Sequence, residues 1–291
     1  MKKQLILAIV PFLFASACNG NANNNSSNKK EAIEIEETTS FKTEGKTIYR
    51  DNLKIAGELY VPENTKDEFP LIVLSHGFNE NMSKTSGLAK EFARFGVAAF
   101  VYDFIGGGSN IQSDGQLTDM SVLTEASDLN IVIDYLLEDE RINNDNVFLF
   151  GQSQGGFIST YVASTRDDIR GLIDYYPAFV IRDDAEEQYS SADQVPDPYY
   201  MTKMGVSLGK IFYTDAVSFD IYDVMANYQN NAIIMHGTAD NIVPISYSQR
   251  AAQTIPNCEL ITYQGAGHGF SGNDATDAAA KSKQFVLDNL N

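Results

Sequence analysis

The segment Gly151-Gln152-Ser153-Gln154-Gly155-Gly156 follows an apolar run, Val147 to Phe150, and opens a helical stretch from Phe157 to about Ser164. Between a strand and a helix, Gly-x-Ser-x-Gly specifies a sharp, strained turn: the glycines let two backbones pass closely, and the serine hydroxyl projects over a sheet edge. The helix that follows aims its free N–H groups at the serine, which favours negative charge there. A chain with this turn must lay helices against a sheet.

The remaining text has the matching rhythm. From about residue 46, short apolar runs alternate with helical patterns, and no internal repeat is found. Ile55 to Val61 reads as an early hairpin strand. Leu71 to Leu74, Val97 to Tyr102, Val147 to Phe150, Gly171 to Tyr175, Ile233 to Met235 and Leu260 to Tyr263 read as buried strands. Val122, Ala126, Leu129, Ile133 and Leu136 recur at helical steps and predict an apolar stripe against the sheet. Further helices are expected from about Ser86 to Phe95, stopping at Gly96, and from about Ala275 to Leu290. The predicted fold class is therefore α/β, with a mostly parallel central sheet flanked by helices. One stretch breaks the pattern: Pro177 to Asp220 is too long for a plain loop and holds Tyr189, Tyr199, Tyr200, Phe212 and Tyr213. It is expected to form a cap, about 178–219, over the C-terminal edge of the sheet.

A serine hydroxyl is a weak nucleophile unless a base takes its proton and an acid orients that base. Only three histidines are present. His76 and His236 each end an apolar strand and are expected to be structural. His268, in Gly265-Ala266-Gly267-His268-Gly269-Phe270, follows the last strand, so that nucleophile, acid and base can run in the expected chain order. For that acid, Asp240 in His236-Gly237-Thr238-Ala239-Asp240 leads Asp174, because it lies a few residues beyond its strand whereas Asp174 lies inside one. The oxyanion of acyl transfer needs N–H donors, for which the backbones of Gln154 and Phe78 are the candidates. No Cys or His pair has zinc spacing, so no metal and no cofactor is expected.

The N-terminus points to export. Lys2 and Lys3 precede an apolar run, Leu5 to Phe14, too short to span a bilayer, and Ala15, Ser16 and Ala17 lead into Cys18. Small residues before a cysteine resemble a bacterial lipoprotein signal, which implies a leader over 1–17, a lipid on Cys18 and a membrane-anchored exported protein. Residues 18–40 are rich in asparagine and glutamate and read as a tether whose reach is about 26 Å by linker scaling. The folded domain is expected to span 41–291. Removal of the leader leaves Cys258 as the lone cysteine, expected to be a buried small hydrophobe rather than a reactive thiol. With 39 acidic residues against 21 basic and a net charge of -18, nucleic acid is excluded as a partner, and a membrane is expected only through the N-terminal lipid.

His76-Gly77-Phe78, Gly151 to Gly156, Asp240 and His268, found together and in this order, resemble the α/β-hydrolase superfamily over about residues 46–291. Gly107-Gly108-Ser109, Gly205, Gly209 and Phe212 in the cap, Asp220 to Val224, His236-Gly237-Thr238 and Ile242-Val243-Pro244 extend the likeness to bacterial feruloyl (cinnamoyl) esterases. Gln152 stands where that family more often has histidine. The resemblance implies an α/β-hydrolase fold with a cap inserted after the sixth strand, and a serine esterase acting on hydroxycinnamoyl or similar esters, small or linked to polysaccharide. Two other readings stay open: an exopeptidase or acylaminoacyl-peptidase-like hydrolase, and a lipoprotein that uses the fold only to bind a ligand.

Overall fold

The computed structural model describes residues 37, 38, 40–63 and 68–291. The expected leader 1–17, the lipidation candidate Cys18 and the tether up to residue 36 lie outside the described residues. Contact with the body starts ahead of Phe41: the Thr38 N–H donates to Arg94 O at 2.8 Å and its hydroxyl to Glu63 O at 3.0 Å.

In chain order the elements are β1 (Phe41–Arg50), β2 (Leu53–Pro62), β3 (Phe69–Ser75), α1 (Ser86–Phe95), β4 (Ala98–Tyr102), α2 (Val122–Leu136), β5 (Ile142–Gln152), α3 (Gln154–Thr165) and β6 (Gly171–Tyr175). An insertion then holds α4 (Ile181–Gln188), a small hairpin of β7 (Tyr199–Met201) and β8 (Val206–Leu208), α5 (Lys210–Ala216) and α6 (Ile221–Met225). The chain closes with β9 (Asn231–Gly237), α7 (Ser246–Thr254), β10 (Cys258–Tyr263) and α8 (Gly272–Asp288).

The main sheet runs β1-β2-β4-β3-β5-β6-β9-β10. The pairs β1–β2 and β2–β4 are antiparallel, and every pair from β4 to β10 is parallel. This is the mostly parallel sheet with a cap after the sixth strand that the fold class specified. Strand β1 escaped the periodicity because Phe41–Arg50 is largely polar and Ile48 is its one fully buried side chain. It is an edge strand, so it has little apolar pattern to show.

The parallel strands from β4 to β9 carry buried apolar runs because helices cover both faces, while β10, at the edge, is only partly buried. Leu71 and Val73 of β3 face a layer that includes α2 and α3, while Ile72 and Leu74 face α1 and α8. Helix α2 starts at a reciprocal cap: Ser121 Oγ accepts from the Thr124 N–H at 3.1 Å, and Thr124 Oγ1 accepts from the Ser121 N–H at 2.7 Å. Since β3, β5, β6, β9 and β10 run the same way, the loops at their C-terminal ends crowd one edge, where open α/β sheets place ligands.

Candidate active site

Ser153 lies between the end of β5 and the start of α3 with φ +52° and ψ −119°, a conformation that a non-glycine residue adopts only when its surroundings impose it. The surroundings are specific. The Ser153 N–H donates to Tyr175 O at 2.9 Å, and Ser153 O accepts from the Gly156 and Ala178 N–H groups at 3.0 and 2.9 Å. A Cβ on Gly151 would sit 2.2 Å from Gly155 O, and one on Gly155 would sit 2.4 Å from the carbonyls of Ser75 and His76. The glycines are therefore required by the close approach of β3, β5 and α3 that forces the turn.

The structure brings Ser153, His268 and Asp240 together, although they are far apart in sequence. Ser153 Oγ and His268 Nε2 are 2.9 Å apart, and His268 Nδ1 lies 2.7 Å from Asp240 Oδ2. An ionised carboxylate only accepts, so Nδ1 carries the proton and Nε2 is free to accept from the serine. The edge of the His268 ring is braced by Tyr176, whose ring centroid is 4.7 Å away.

Asp240 is shaped by a turn just beyond β9. Its Oδ1 accepts from the Ile242 and Val243 N–H groups, both at 2.9 Å. Its Oδ2 faces His236 Nε2 at 3.2 Å as well as His268. His236 Nε2 is also 3.0 Å from Val243 O, so this nitrogen holds a proton shared between two acceptors, and Nδ1 accepts from the Ser248 hydroxyl at 2.7 Å. Burial works against charge on Asp240, but the hydrogen bonds from His236, His268 and Val243 outweigh it and hold the carboxyl well below its usual range.

Asp174 has a different fate. It is fully buried within β6, its Oδ2 accepts from Thr160 Oγ1 at 2.7 Å, and its Oδ1 has no partner among the described residues. Burial pushes its carboxyl well above the usual range, and its place inside β6 keeps it out of the contacts of His268. His76 is also buried outside the chain of contacts: Nδ1 donates to Gly77 O at 2.8 Å and Nε2 accepts from the Phe104 N–H at 3.3 Å. Cys258 is half-buried at the start of β10, and burial pushes its thiol up to about 12, so it is no thiolate at neutral pH.

The backbones of Phe78 and Gln154 flank Ser153, and neither N–H donates to a protein acceptor among the described residues. Gln154 is anchored through its side chain, whose Nε2 donates to Glu125 Oε2 at 2.6 Å. The Glu125 carboxyl lies wholly inside the protein, where burial raises it well above its ordinary value. Sequence reading passed over Glu125, Tyr176 and Glu80. No pattern marks Glu125, Tyr176 or Glu80, since each acquires its place by packing.

Two recesses meet at Ser153. One is mainly apolar and lies under the insertion, lined by Phe78, Val180, Ile181, Met201 and Phe212 and bounded by the ion pair Asp184–Lys203 at 2.7 Å. The other is an outer cleft with Glu80, Gln152, Tyr176 and His268 on its walls. Among the described residues no group of three or more His, Cys, Asp or Glu side chains is placed to hold a metal ion.

A family profile described as serine aminopeptidase, S33, matches residues 67–204, and one described as TAP-like protein matches residues 220–288. Est1E from Butyrivibrio proteoclasticus, solved with ferulic acid bound, superposes with a TM-score of 0.75 at 25% identity, covering 84% of this chain and 98% of that one. The α/β hydrolase GrgF from Penicillium sp. sh18 follows the same fold, with a TM-score of 0.71 at 17% identity over 86% of this chain and 99% of its own. A curated relative, the non-heme chloroperoxidase CPO-A1 of Kitasatospora aureofaciens, is 32% identical over 75 residues, 25% of this chain, and the match spans only 27% of that protein.

Proposed function

This chain belongs to the α/β-hydrolase superfamily, and from that premise we propose that it is a serine carboxylic-ester hydrolase acting on hydroxycinnamoyl or similar acyl esters. The observation that carries the reading is the hydrogen-bonded chain Ser153–His268–Asp240 opening onto an apolar pocket. Ser153 Oγ attacks the ester carbonyl while its proton passes to His268 Nε2. The oxyanion of the tetrahedral adduct meets the N–H groups of Phe78 and Gln154, and Asp240 stabilises the imidazolium. His268 then gives the proton to the departing alkoxide, leaving an acyl-Ser153. Water, deprotonated by His268, attacks that ester, and the carboxylic acid leaves as the serine regains its proton.

The pocket supports an aromatic acyl group. Its walls are apolar, and Asp184 and Lys203 at its boundary can meet a ring hydroxyl. The ferulic acid bound by Est1E agrees with this assignment. The aminopeptidase profile favours a second reading, in which the acyl portion is an amino acid. That substrate presents an ammonium group, yet the one acid among the lining residues of the pocket, Asp184, is already paired with Lys203.

Kinetics on methyl ferulate, acetylated xylan, 4-nitrophenyl acetate and an aminoacyl anilide, run side by side, test the assignment. Methyl ferulate is expected to give the highest kcat/KM, and a higher value for the anilide establishes the peptidase instead. Ser153→Ala is expected to lower kcat by about 10⁶; retention of more than a few per cent of activity refutes the nucleophile. A ligand-binding lipoprotein without turnover would resist labelling by a fluorophosphonate.

Export and anchoring through Cys18 remain part of the proposal. Cys18→Ala is expected to move the protein from the detergent phase to the aqueous phase of a Triton X-114 partition with catalysis by the purified domain unchanged. Wild-type protein found wholly in the aqueous phase removes the lipid anchor.

A further inference from the structure

Gln152 and Glu80 are not used by the mechanism above, yet they meet beside the nucleophile. One oxygen of Glu80, Oε2, accepts from the Gly77 N–H at 3.1 Å and from Gln152 Nε2 at 2.7 Å. Gly77 immediately precedes the oxyanion donor Phe78. Gln152 immediately precedes Ser153 and stands two residues before the other donor, Gln154. A single atom thus bridges the loop after β3 and the turn after β5, the two segments from which the oxyanion site is assembled.

The contact is close and built in. A Cβ on Gly77 would lie 2.8 Å from Glu80 Oε2 and 3.4 Å from Ser153 Cβ, so this glycine is sandwiched between the carboxylate and the nucleophile. Glu80 is itself held by its backbone. Its N–H donates to Gly77 O at 3.3 Å, closing a tight turn, and Asn79 within that turn has φ +54°. The turn is pinned from the other side, where the Asn79 N–H donates to Gly107 O at 3.1 Å and Gly108 passes so near that a Cβ there would overlap Glu80 O. The second carboxylate oxygen, Oε1, faces Lys84 Nζ at 3.9 Å.

We propose that Glu80 is a positioning residue for the oxyanion site, tying the Phe78 loop to the Ser153 turn through Gly77 and Gln152; the proposal rests on the serine-hydrolase reading above. Two donors on different loops stabilise an oxyanion only if their separation is set before the reaction, because donors that must reorganise lose most of their effect. The sequence departure at Gln152 then has a reason: its amide supplies the donor that Glu80 needs on the turn. A carboxylate this near a developing oxyanion would oppose it, so what the site uses is the acceptor geometry of Glu80, not its charge.

The test compares Glu80→Ala, Glu80→Gln and Gln152→Leu on 4-nitrophenyl acetate, with a trifluoromethyl ketone as a mimic of the tetrahedral adduct. Glu80→Ala is expected to lower kcat about tenfold with KM within twofold, and to weaken the ketone by the same factor, the pattern of an interaction made only in the transition state. Glu80→Gln keeps an oxygen able to accept both hydrogen bonds and is expected to hold kcat at or above the wild-type level. Gln152→Leu should match Glu80→Ala, and the double variant should be no worse than either, since both changes cut one tie.

An unchanged kcat in Glu80→Ala overturns the proposal. A rise in KM alone also overturns it, because it makes Glu80 a substrate contact, and so does an equal loss in Glu80→Gln, which makes the charge the active property. Circular dichroism of each variant separates a loss of fold from a loss of position: Glu80→Gln folded and active beside Glu80→Ala folded and slow is the supporting pair. If the wild-type protein neither hydrolyses the ester nor takes up a fluorophosphonate at Ser153, the serine-hydrolase reading fails and this proposal falls with it. Ser153 labelled and Glu80 without effect overturns this proposal alone.

Discussion

The edge of the sheet that bears Ser153, His268 and Asp240 and the insertion that covers it are built by different means. On the sheet side, each group is fixed by backbone: a strained turn after β5, a turn after β9 whose N–H groups grip Asp240, and a short loop after β10. On the insertion side, short elements contribute side chains alone. Its helix α4 and the β7–β8 hairpin line the apolar pocket through Ile181 and Met201, and α5 adds Phe212, which packs edge-on against Phe78 at 6.2 Å. Under the proposed function, chemistry falls to the region that cannot shift without breaking the sheet, and acyl selection to the region that can be redrawn by changing side chains.

That division can be broken most forcefully at Asp240. Asp240→Asn is expected to reduce kcat by about 10⁴, the scale known for loss of the acid that orients the imidazole, and to do so alike for acetyl and feruloyl esters. A loss confined to one ester, measured by steady-state kinetics, would show that the two regions are not separable. A greater loss in Asp174→Asn would place the acid in the wrong strand.

A smaller, selective effect is expected on the other side. Val180→Phe fills the apolar recess beneath the insertion. It should raise KM for methyl ferulate by roughly tenfold, an energy of the size that a buried ring contact provides, while 4-nitrophenyl acetate stays within about twofold. Equal losses on both esters would mean that the recess does not receive the acyl group.

The smallest effect sharpens the comparison between the two buried carboxyls. Asp240 is surrounded by donors that hold its carboxyl low, whereas Asp174 has one partner among the described residues and burial holds its carboxyl high. A carboxyl whose folded value is raised binds more protons in the folded state, so its contribution to stability is present at low pH and is lost as pH rises above the unfolded value. Asp174→Asn removes this dependence. Above about pH 4, urea denaturation should show wild-type stability falling relative to the variant by up to about 1.4 kcal/mol per pH unit, with kcat almost unchanged. Parallel pH profiles for the two proteins would mean that Asp174 is ionised in the folded state.

How far each region could be read in advance follows the same division. The strands β3, β4, β5, β6 and β9 announced themselves because burial on both faces demands apolar runs, and β10, though only partly buried at the edge, through the run Leu260 to Tyr263. Ser153 was marked by glycines that no other backbone geometry needs. The polar edge strand β1 carried no such mark, and neither did Glu125 or Tyr176. Each of these two takes its place from what packs beside it: Glu125 through the side chain of Gln154, Tyr176 through the ring of His268.

The sequence by itself therefore determined the α/β class, the strand-turn-helix that bends at Ser153 and the order in which acid and base follow it, because these depend on local periodicity and on residues whose backbone needs are severe. Only the tertiary structure decided which of two aspartates is ionised, which recess adjoins the nucleophile and which carboxylate ties the oxyanion loops together. Those outcomes depend on hydrogen-bond donors brought from distant strands. The side chain that receives them is the same aspartate or glutamate in the sequence whether it ends among N–H groups, as Asp240 does, or in an apolar wall, as Asp174 does.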